Sequence, residues 1–327
     1  MREIIRKVPI PTAGVALGLA ALGNLLQPYT EIVHIVCGIL SLVLIAMLGA
    51  KIALFPDMIR DDLHNSIMAS VSATLFMTLM QLAGYLAPFA YIPAFALWSA
   101  AVVAHLALMG WFTARFISHF KLHEVFPTYF ICYVGIVVAS VTSPTFGMEA
   151  VGHLLFWFGF ACYVVLLGLV TYRYMKHEIP ESARPLFCIY TAPMSLSLVG
   201  YLATAPQPNL VFVLAMLVLA QVLFAVVLSR LPVLLRLRFY PSYAAMTFPF
   251  VITALGKALA FFQANGFAVP EVLNVLFAAE AAVSVVMVGY VFIHYLHFFF
   301  MRIEEPKSAA VIRENKQTAR FSEYFEN

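Results

Sequence analysis

Residues 185–229 read PLFCIYTAPMSLSLVGYLATAPQPNLVFVLAMLVLAQVLFAVVLS and contain no Asp, Glu, Lys or Arg, while Arg184 and Arg230 stand immediately on either side. A helix needs about 20 apolar residues to cross the hydrocarbon core of a bilayer, so this stretch is long enough for two crossings. The tripeptide Pro206-Gln207-Pro208 lies near its middle and marks a turn. The stretch therefore predicts a transmembrane helical hairpin that begins and ends on the side of the two arginines.

The same layout is repeated along the whole chain. All Lys and Arg residues except Lys257 fall into six clusters, and each interval between clusters holds enough apolar chain for two crossings. Because basic residues near the ends of spans remain cytoplasmic, we expect five hairpins with both termini in the cytoplasm. This predicts a cytoplasmic N-terminus at 1–7, a ten-helix transmembrane domain at 8–300 and a cytoplasmic tail at 301–327. The clusters are Arg2/Arg6/Lys7, Lys51/Arg60, Arg115/Lys121, Arg173/Lys176/Arg184, Arg230/Arg236/Arg238 and the tail from Arg302 to Arg320.

Composition agrees with an all-α membrane protein. Hydrophobic residues make up 63% of the chain, charged residues make up 11%, and the mean hydropathy is +0.93. These values lie far outside the range of soluble domains. The net charge of +3 suits an anionic lipid surface and does not indicate nucleic acid binding. The predicted loops are short and carry no catalytic motif, so we expect neither an enzyme nor a bound cofactor or metal.

The odd-numbered spans carry residues that interrupt helices. The seventh contains Pro185-x7-Pro193-x6-Gly200, the ninth contains Pro241-x7-Pro249-x6-Gly256, and weaker copies occur in the fifth and first spans. Interrupted helices at membrane depth usually line a protein interior or a water-filled cavity, so we expect an inner ring of five kinked odd helices around a central pore, enclosed by the even helices. The alternative is that Pro and Gly are simply frequent in membrane helices. The candidate pore-lining or kink residues are Gly14, Gly18, Gly135, Pro193, Gly200, Pro249, Ile252 and Gly256.

The polar residues of the odd spans indicate which solutes such a pore could pass. These spans contain no Asp or Glu, and Lys257 is their only basic residue. Cation pathways usually show acidic rings, and proton-coupled carriers usually show carboxylates within the membrane. The pattern therefore favours a path for anions or neutral solutes, and the basic cytoplasmic mouth would raise the local concentration of anions.

A family resemblance rests on several short motifs. Thr247-Phe248-Pro249 in the ninth of ten spans resembles the tellurite-resistance/dicarboxylate transporter family, which includes the slow anion channels of plant guard cells. The segments 14–22, 126–130 and 191–193 are similar to other parts of the family pattern. The resemblance covers residues 8–300. It implies a homotrimer in which each protomer encloses its own pore, and for a bacterial member it implies the inner membrane.

The same resemblance implies that Phe248, on the ninth helix, occludes the pore. A ring beside an interrupted backbone could fill the axis and exclude water and hydrated ions. The alternative is that Phe248 packs against a neighbour like the other phenylalanines of the chain.

Lys257 and Glu280 are the two charged residues deep in predicted spans. Lys257 follows Phe248 by nine residues, so on a continuous helix it points to the opposite side, towards the tenth span and Glu280. We expect a structural ion pair between them, with an anion site at Lys257 as the alternative.

Three functions remain open at this point. The favoured one is a gated passive channel for small monovalent anions such as chloride or nitrate. A secondary transporter for dicarboxylates or a tellurite-related anion is the alternative suggested by the name of the family. A third, of another class, is a haem-binding redox protein that would use His34 and His153 as axial ligands.

Overall fold

The computed structural model describes residues 2–253 and 255–300, and all regular structure within these ranges is helical. The predicted tail at 301–327 lies outside the described residues. A short helix, Arg2–Lys7, precedes ten apolar helical segments, which we number from first to tenth. In that order they are Thr12–Leu26, Glu31–Leu54, Ser66–Leu86, Tyr91–Ile117, 128–146, Glu149–Lys176, Glu181–Thr204, Leu210–Leu234, Pro241–Ala264 and Glu271–Phe300.

Eight of these segments, within the part of the chain that the structure describes, are long and apolar enough to cross a membrane. The first segment, of 15 residues, and the fifth, with the stretch Val137–Phe146, are shorter apolar helices. The prediction of an all-helical protein with several membrane-spanning helices is therefore confirmed. The arrangement of ten crossings in five hairpins stays a prediction.

Helical interruptions are concentrated in the odd-numbered segments. The seventh changes from a 3-10 helix, Glu181–Thr191, to an α-helix, Ala192–Thr204. The ninth consists of three pieces, Pro241–Met246, Phe248–Val251 and Leu255–Ala264. Pro193 and Pro249 each lie in the first two positions of an α-helix, where a proline removes no intrahelical hydrogen bond. These matched prolines thus lie at the starts of new helices, and the expectation that they kink continuous helices is wrong.

The turns between segments contain residues that favour the start or the end of a helix. The Asn65 side chain accepts a hydrogen bond from the backbone N–H of Ile67 at 2.9 Å, and the Asn209 side chain accepts one from Phe212 at 3.0 Å. Both bonds satisfy N–H groups at a helix start that have no partner within the helix. Gly147, with φ of 64°, ends the fifth segment in the left-handed conformation that glycine adopts without strain.

Burial alternates between odd and even segments. In the seventh and ninth segments, 83% and 71% of the most apolar 18-residue window is buried, and in the third the share is 56%. The second, fourth, sixth, eighth and tenth segments reach only 28–39%. The first segment is buried from Thr12 to Gly23. Because the exposed residues of the even segments are largely apolar, these segments present a surface suited to lipid around a buried group of odd segments.

A close approach between the first and ninth segments depends on glycine. A Cβ atom placed on Gly18 would lie 2.5 Å from the Cβ of Thr247 and 3.0 Å from the backbone nitrogen of Phe248. No side chain fits in that space, so Gly18 permits the two backbones to meet where the ninth segment is interrupted. Membrane helices commonly use small residues in this way.

We predict that Gly18→Ala destabilises the protein by about 1–3 kcal/mol, because the added methyl group would push Thr247 away. Gly49→Ala is the matched control, since a Cβ atom at Gly49 meets nothing within 4 Å. The measurement is the thermal midpoint of the purified protein in detergent. Equal midpoints for the two variants would contradict the proposed tight contact.

Candidate functional site

A cavity of about 240 Å³ lies among the odd-numbered segments. All five of these segments contribute to its wall, for example through Gly14, Thr74, Gly135, Pro193 and Phe248. Among the described residues, none from an even-numbered segment lines it. The odd-numbered segments, of which the first is one continuous α-helix and not kinked as expected, therefore surround a common internal space. This is the geometry required of helices that enclose a pathway.

The cavity runs inward from the basic side of the molecule. Its mouth includes Asn65, Ser182 and Tyr240, which lie at or just before the starts of the third, seventh and ninth segments. The Tyr240 hydroxyl donates to Glu181 at 2.8 Å, and the Ser242 hydroxyl donates to the carbonyl of Ser182 at 2.6 Å. These bonds join the entrances of the seventh and ninth segments and fix the width of the mouth on that side.

The wall of the cavity carries no formal charge. Within the described residues, its lining contains no Asp, Glu, Lys, Arg or His, and most of the lining side chains are aliphatic or aromatic. The polar groups include the hydroxyls of Thr74 and Ser242 and the amide of Asn65. Such a wall offers no strong site to a small ion of either sign, which is compatible with weak binding and rapid passage.

Phe248 lines the deep part of this cavity and is only 5% exposed. It begins a four-residue helix, Phe248–Val251, directly after Thr247, whose φ of −106° and ψ of −92° are not helical. The preceding 3-10 helix ends at Met246, so the backbone changes direction at Thr247. This change of direction, together with the absence of a continuous helix, places the Phe248 ring at the wall of the buried space.

Three hydroxyl groups hold this short helix in place. Thr247 donates to the carbonyl of Gly14 at 3.0 Å, Thr191 donates to that of Pro249 at 2.8 Å, and Ser284 donates to that of Phe250 at 2.7 Å. Each hydroxyl also lies near a carbonyl of its own segment and shares its hydrogen with it. Because the helix ends at Val251, the carbonyls of Pro249 and Phe250 need partners from outside it. We refer to these three bonds as the hydroxyl clamp.

The structure divides the predicted pore-lining residues into two groups. Gly14, Gly135, Pro193 and Pro249 line the cavity, as Phe248 does. The remaining four lie outside the described lining. Gly18 contacts Thr247, Gly200 faces Val137 of the fifth segment, Gly256 faces Phe277 of the tenth, and Ile252 is half-buried at the end of the short helix.

The expected ion pair between Lys257 and Glu280 does not form. Lys257 is exposed, and the structure records no ion pair between these two described residues. Glu280 is 2% exposed, and within the described part of the chain neither of its carboxylate oxygens has a hydrogen-bond partner, although Thr253 and Gln221 lie near. The helix is interrupted at Ile252 and Thr253, so counting 100° per residue from Phe248 does not give the direction of Lys257.

The two histidines considered for haem have separate local contacts. His34 stacks on Tyr85 with the ring centroids 4.0 Å apart, and His153 accepts a hydrogen bond from Trp157 at 3.0 Å. No group of three or more potential metal-binding side chains occurs within residues 2–253 and 255–300.

Sequence reasoning did not identify the hydroxyl clamp. Thr191 and Ser284 lie far from Phe248 in the sequence, on the seventh and tenth segments. The sequence does show a Thr in the seventh span and a Ser in the tenth, while the ninth span is interrupted by a proline. Hydroxyl groups of neighbouring helices often form hydrogen bonds with backbone groups that such an interruption leaves unpaired in a membrane. The sequence pattern does not tell which carbonyl each hydroxyl binds, because that depends on how the segments pack.

We predict that Thr191→Val lowers stability by about 1–2 kcal/mol, because the Pro249 carbonyl loses its donor in a buried setting. Ser197→Ala on the same segment is the control, since the bond recorded for the Ser197 hydroxyl goes to the Pro193 carbonyl one turn earlier. Thermal midpoints in detergent measure both. If Thr191→Val is no worse than Ser197→Ala, the clamp does not stabilise the fold.

Comparison with known proteins gives one family. The model of the SLAC1 family, described as voltage-dependent anion channel, matches residues 7–296. Among curated proteins, none matches the chain. The family match covers the first nine helical segments and most of the tenth, and it confirms the resemblance to slow anion channels noted in the sequence. The chain belongs to the SLAC1 family of voltage-dependent anion channels.

Proposed function

We propose that the protein is a gated passive channel for small monovalent anions such as chloride or nitrate, closed by Phe248. The observation that carries this proposal is the cavity, which is built from all five odd-numbered segments and has Phe248 in its deep wall. Membership of a family of anion channels and transporters sets the class of solute. Family membership does not specify the path of the anion, the gate or whether transport is passive, and these three points are what we propose.

The proposed path needs ten crossings. The alternating burial of odd and even segments supports an inner ring of odd helices within an outer ring of even ones. The short first and fifth segments cross at the centre of the protein, where the surrounding segments shield them from lipid and a full hydrophobic length is not required. The basic clusters support a cytoplasmic position of both termini, and the resemblance supports a homotrimer with one path in each protomer.

Phe248 closes the path by excluding water. An ion must keep its hydration shell or exchange it for protein ligands, and an apolar ring in an uncharged passage allows neither. The hydroxyl clamp fixes the backbone on both sides of the ring through Gly14, Pro249 and Phe250. Opening therefore requires the Phe248 side chain to change rotamer, while the ninth segment stays in place.

The selectivity for anions arises at the mouth. The lining is uncharged, so it imposes no preference by itself. The basic clusters at the ends of the segments surround the mouth with positive charge, which concentrates anions and repels cations before they enter. A weakly binding path with a basic entrance favours fast anion passage over tight capture.

One observation favours the alternative of a secondary transporter. The Glu280 carboxyl is buried near the interruption of the ninth segment and has no hydrogen-bond partner among the described residues. Proton-coupled carriers place carboxylates of this kind within the membrane. Glu280 lies on the tenth segment and does not line the described cavity, which is why the channel is the main proposal.

We predict that Phe248→Ala increases anion current through the protein in planar bilayers at least tenfold, because the dry constriction becomes wide enough to hydrate. Phe250→Ala is the matched control. The Phe250 ring is fully buried, packs against Phe224 at 5.9 Å between centroids, and lies outside the cavity lining. Equal currents from the two variants would show that Phe248 does not close the path.

We also predict that the reversal potential of the Phe248→Ala current follows the chloride gradient and does not change when a pH gradient is imposed. A passive anion path requires this, since only the chloride gradient then drives current. A reversal potential that moves with the pH gradient would support proton coupling through Glu280 and the transporter alternative.

A further inference from the structure

A second cavity, of about 520 Å³, lies on the basic side beside the mouth of the first. It opens between the start of the third segment, the loop before the fifth and the end of the sixth. Asn65 and Ile67 line both cavities, so the two are neighbours. We call this second cavity the side pocket. Its other lining residues are His64, Ser66, His123, Glu124, Phe126, Arg173, His177, Glu178 and Pro180.

Arg173 is the buried cation of the side pocket. Its side chain is 2% exposed, and the face of its guanidinium group lies over the Phe126 ring at 4.1 Å from the centroid. One nitrogen, Nη2, donates to the carbonyl of His123 at 3.2 Å. The other two nitrogens, Nε and Nη1, have no hydrogen-bond partner among the described residues.

This arrangement leaves a strong donor unsatisfied. A guanidinium group carries five N–H bonds, and Nε and Nη1 together hold three of them. A buried charge with unpaired donors is strongly destabilising, so such groups in native proteins are normally matched by a counterion, water or a ligand. The guanidinium carbon lies 4.1 Å from the Phe126 ring centroid and 5.6 Å from that of Tyr174, so the edges of Arg173 are the part available to a polar partner. A guanidinium edge presents two parallel N–H bonds, which match two oxygens of one anion.

The acidic residues of the side pocket do not supply that partner. Glu124 pairs with Lys121 at 3.1 Å and lies 3.7 Å from His123. Glu178 is exposed, and the structure records no ion pair between its carboxylate and Arg173 within the described residues. Three histidines, His64, His123 and His177, add further polar groups around the same space. Among residues 2–253 and 255–300, the side pocket therefore contains a buried cation without a counterion.

We propose that the side pocket binds a phosphate group through the edge of Arg173. The group can belong to free inorganic phosphate or to the headgroup of an anionic lipid, because both present the same oxygens. The site is separate from the conduction path, since neither Arg173 nor the three histidines line the first cavity. It does not depend on the role proposed for Phe248.

Binding of an anion in the side pocket would affect residues at the mouth of the first cavity. The Ser66 hydroxyl donates to the carbonyl of Glu124 at 2.9 Å, and Asn65 caps the helix that begins at Ser66. Both residues line the side pocket, and the third segment that they start also lines the first cavity. An anion on Arg173 thus lies next to the residues that set the start of an odd-numbered segment.

The test uses the full-length protein, purified in detergent without phospholipid, and follows its thermal midpoint as inorganic phosphate is added. Sodium chloride at equal ionic strength is the reference. A ligand that binds the folded state raises the midpoint with a saturable dependence on concentration. We expect such a rise with phosphate, and at least a tenfold loss of apparent affinity in Arg173→Gln.

A second pair of variants keeps the test decisive if Arg173→Gln does not fold. Glu178→Gln removes a negative charge from the side pocket, so phosphate should bind about threefold more tightly. Glu149→Gln, an exposed change at the start of the sixth segment, should leave the affinity unchanged. The proposal fails if phosphate acts no differently from chloride, if a folded Arg173→Gln binds phosphate as the unmodified protein does, or if the two glutamate variants behave alike.

A third experiment distinguishes free phosphate from a lipid headgroup as the source of the phosphate group. The phosphate titration is repeated in nanodiscs of phosphatidylcholine with and without phosphatidic acid. Loss of the phosphate effect in the presence of phosphatidic acid shows that a lipid headgroup fills the side pocket. An unchanged effect shows that the pocket takes free phosphate.

Discussion

The structure depends on how the carbonyls of one short helix are satisfied in a setting without water. Phe248–Val251 is too short to pair its own backbone groups, and an unpaired carbonyl in the hydrocarbon region costs several kcal/mol. Hydroxyl groups of Thr191 and Ser284, from the seventh and tenth segments, provide the missing donors. The interruption is therefore stable only where these segments meet, and this requirement fixes the position of Phe248.

The clamp and the glycine contact act together. Gly18 lets the first segment approach the ninth at Thr247, and the Thr247 hydroxyl then reaches the carbonyl of Gly14 one turn away. Odd-numbered segments held in this way surround the cavity, while the even ones cover them and carry most of the apolar surface. In the proposed function, a fixed backbone with the Phe248 ring beside it is a simple basis for a gate, because one rotamer change would open the path without unfolding any helix.

Much of this could be predicted from the chain alone, and what could not has physical reasons. The arginines that flank apolar stretches, such as Arg184 and Arg230, locate the segments because charge at a membrane surface is costly to move. The proline spacing located the interruptions of the seventh and ninth segments. The direction of Lys257 could not be derived, because angular counting fails across a broken helix. The donors of the clamp depend on the rotation of separate segments, which no local pattern encodes.

The central claim is that Phe248 separates the cavity from the opposite side of the membrane. A single cysteine at Ala244, in the cavity wall one turn before Phe248, tests it most directly in a background without the four native cysteines. The measurement is the rate of modification by a membrane-impermeant thiol reagent applied to either face. The account predicts reaction from the basic face alone, and from both faces once Phe248→Ala is added. Reaction from both faces with Phe248 intact, or from neither, would contradict it.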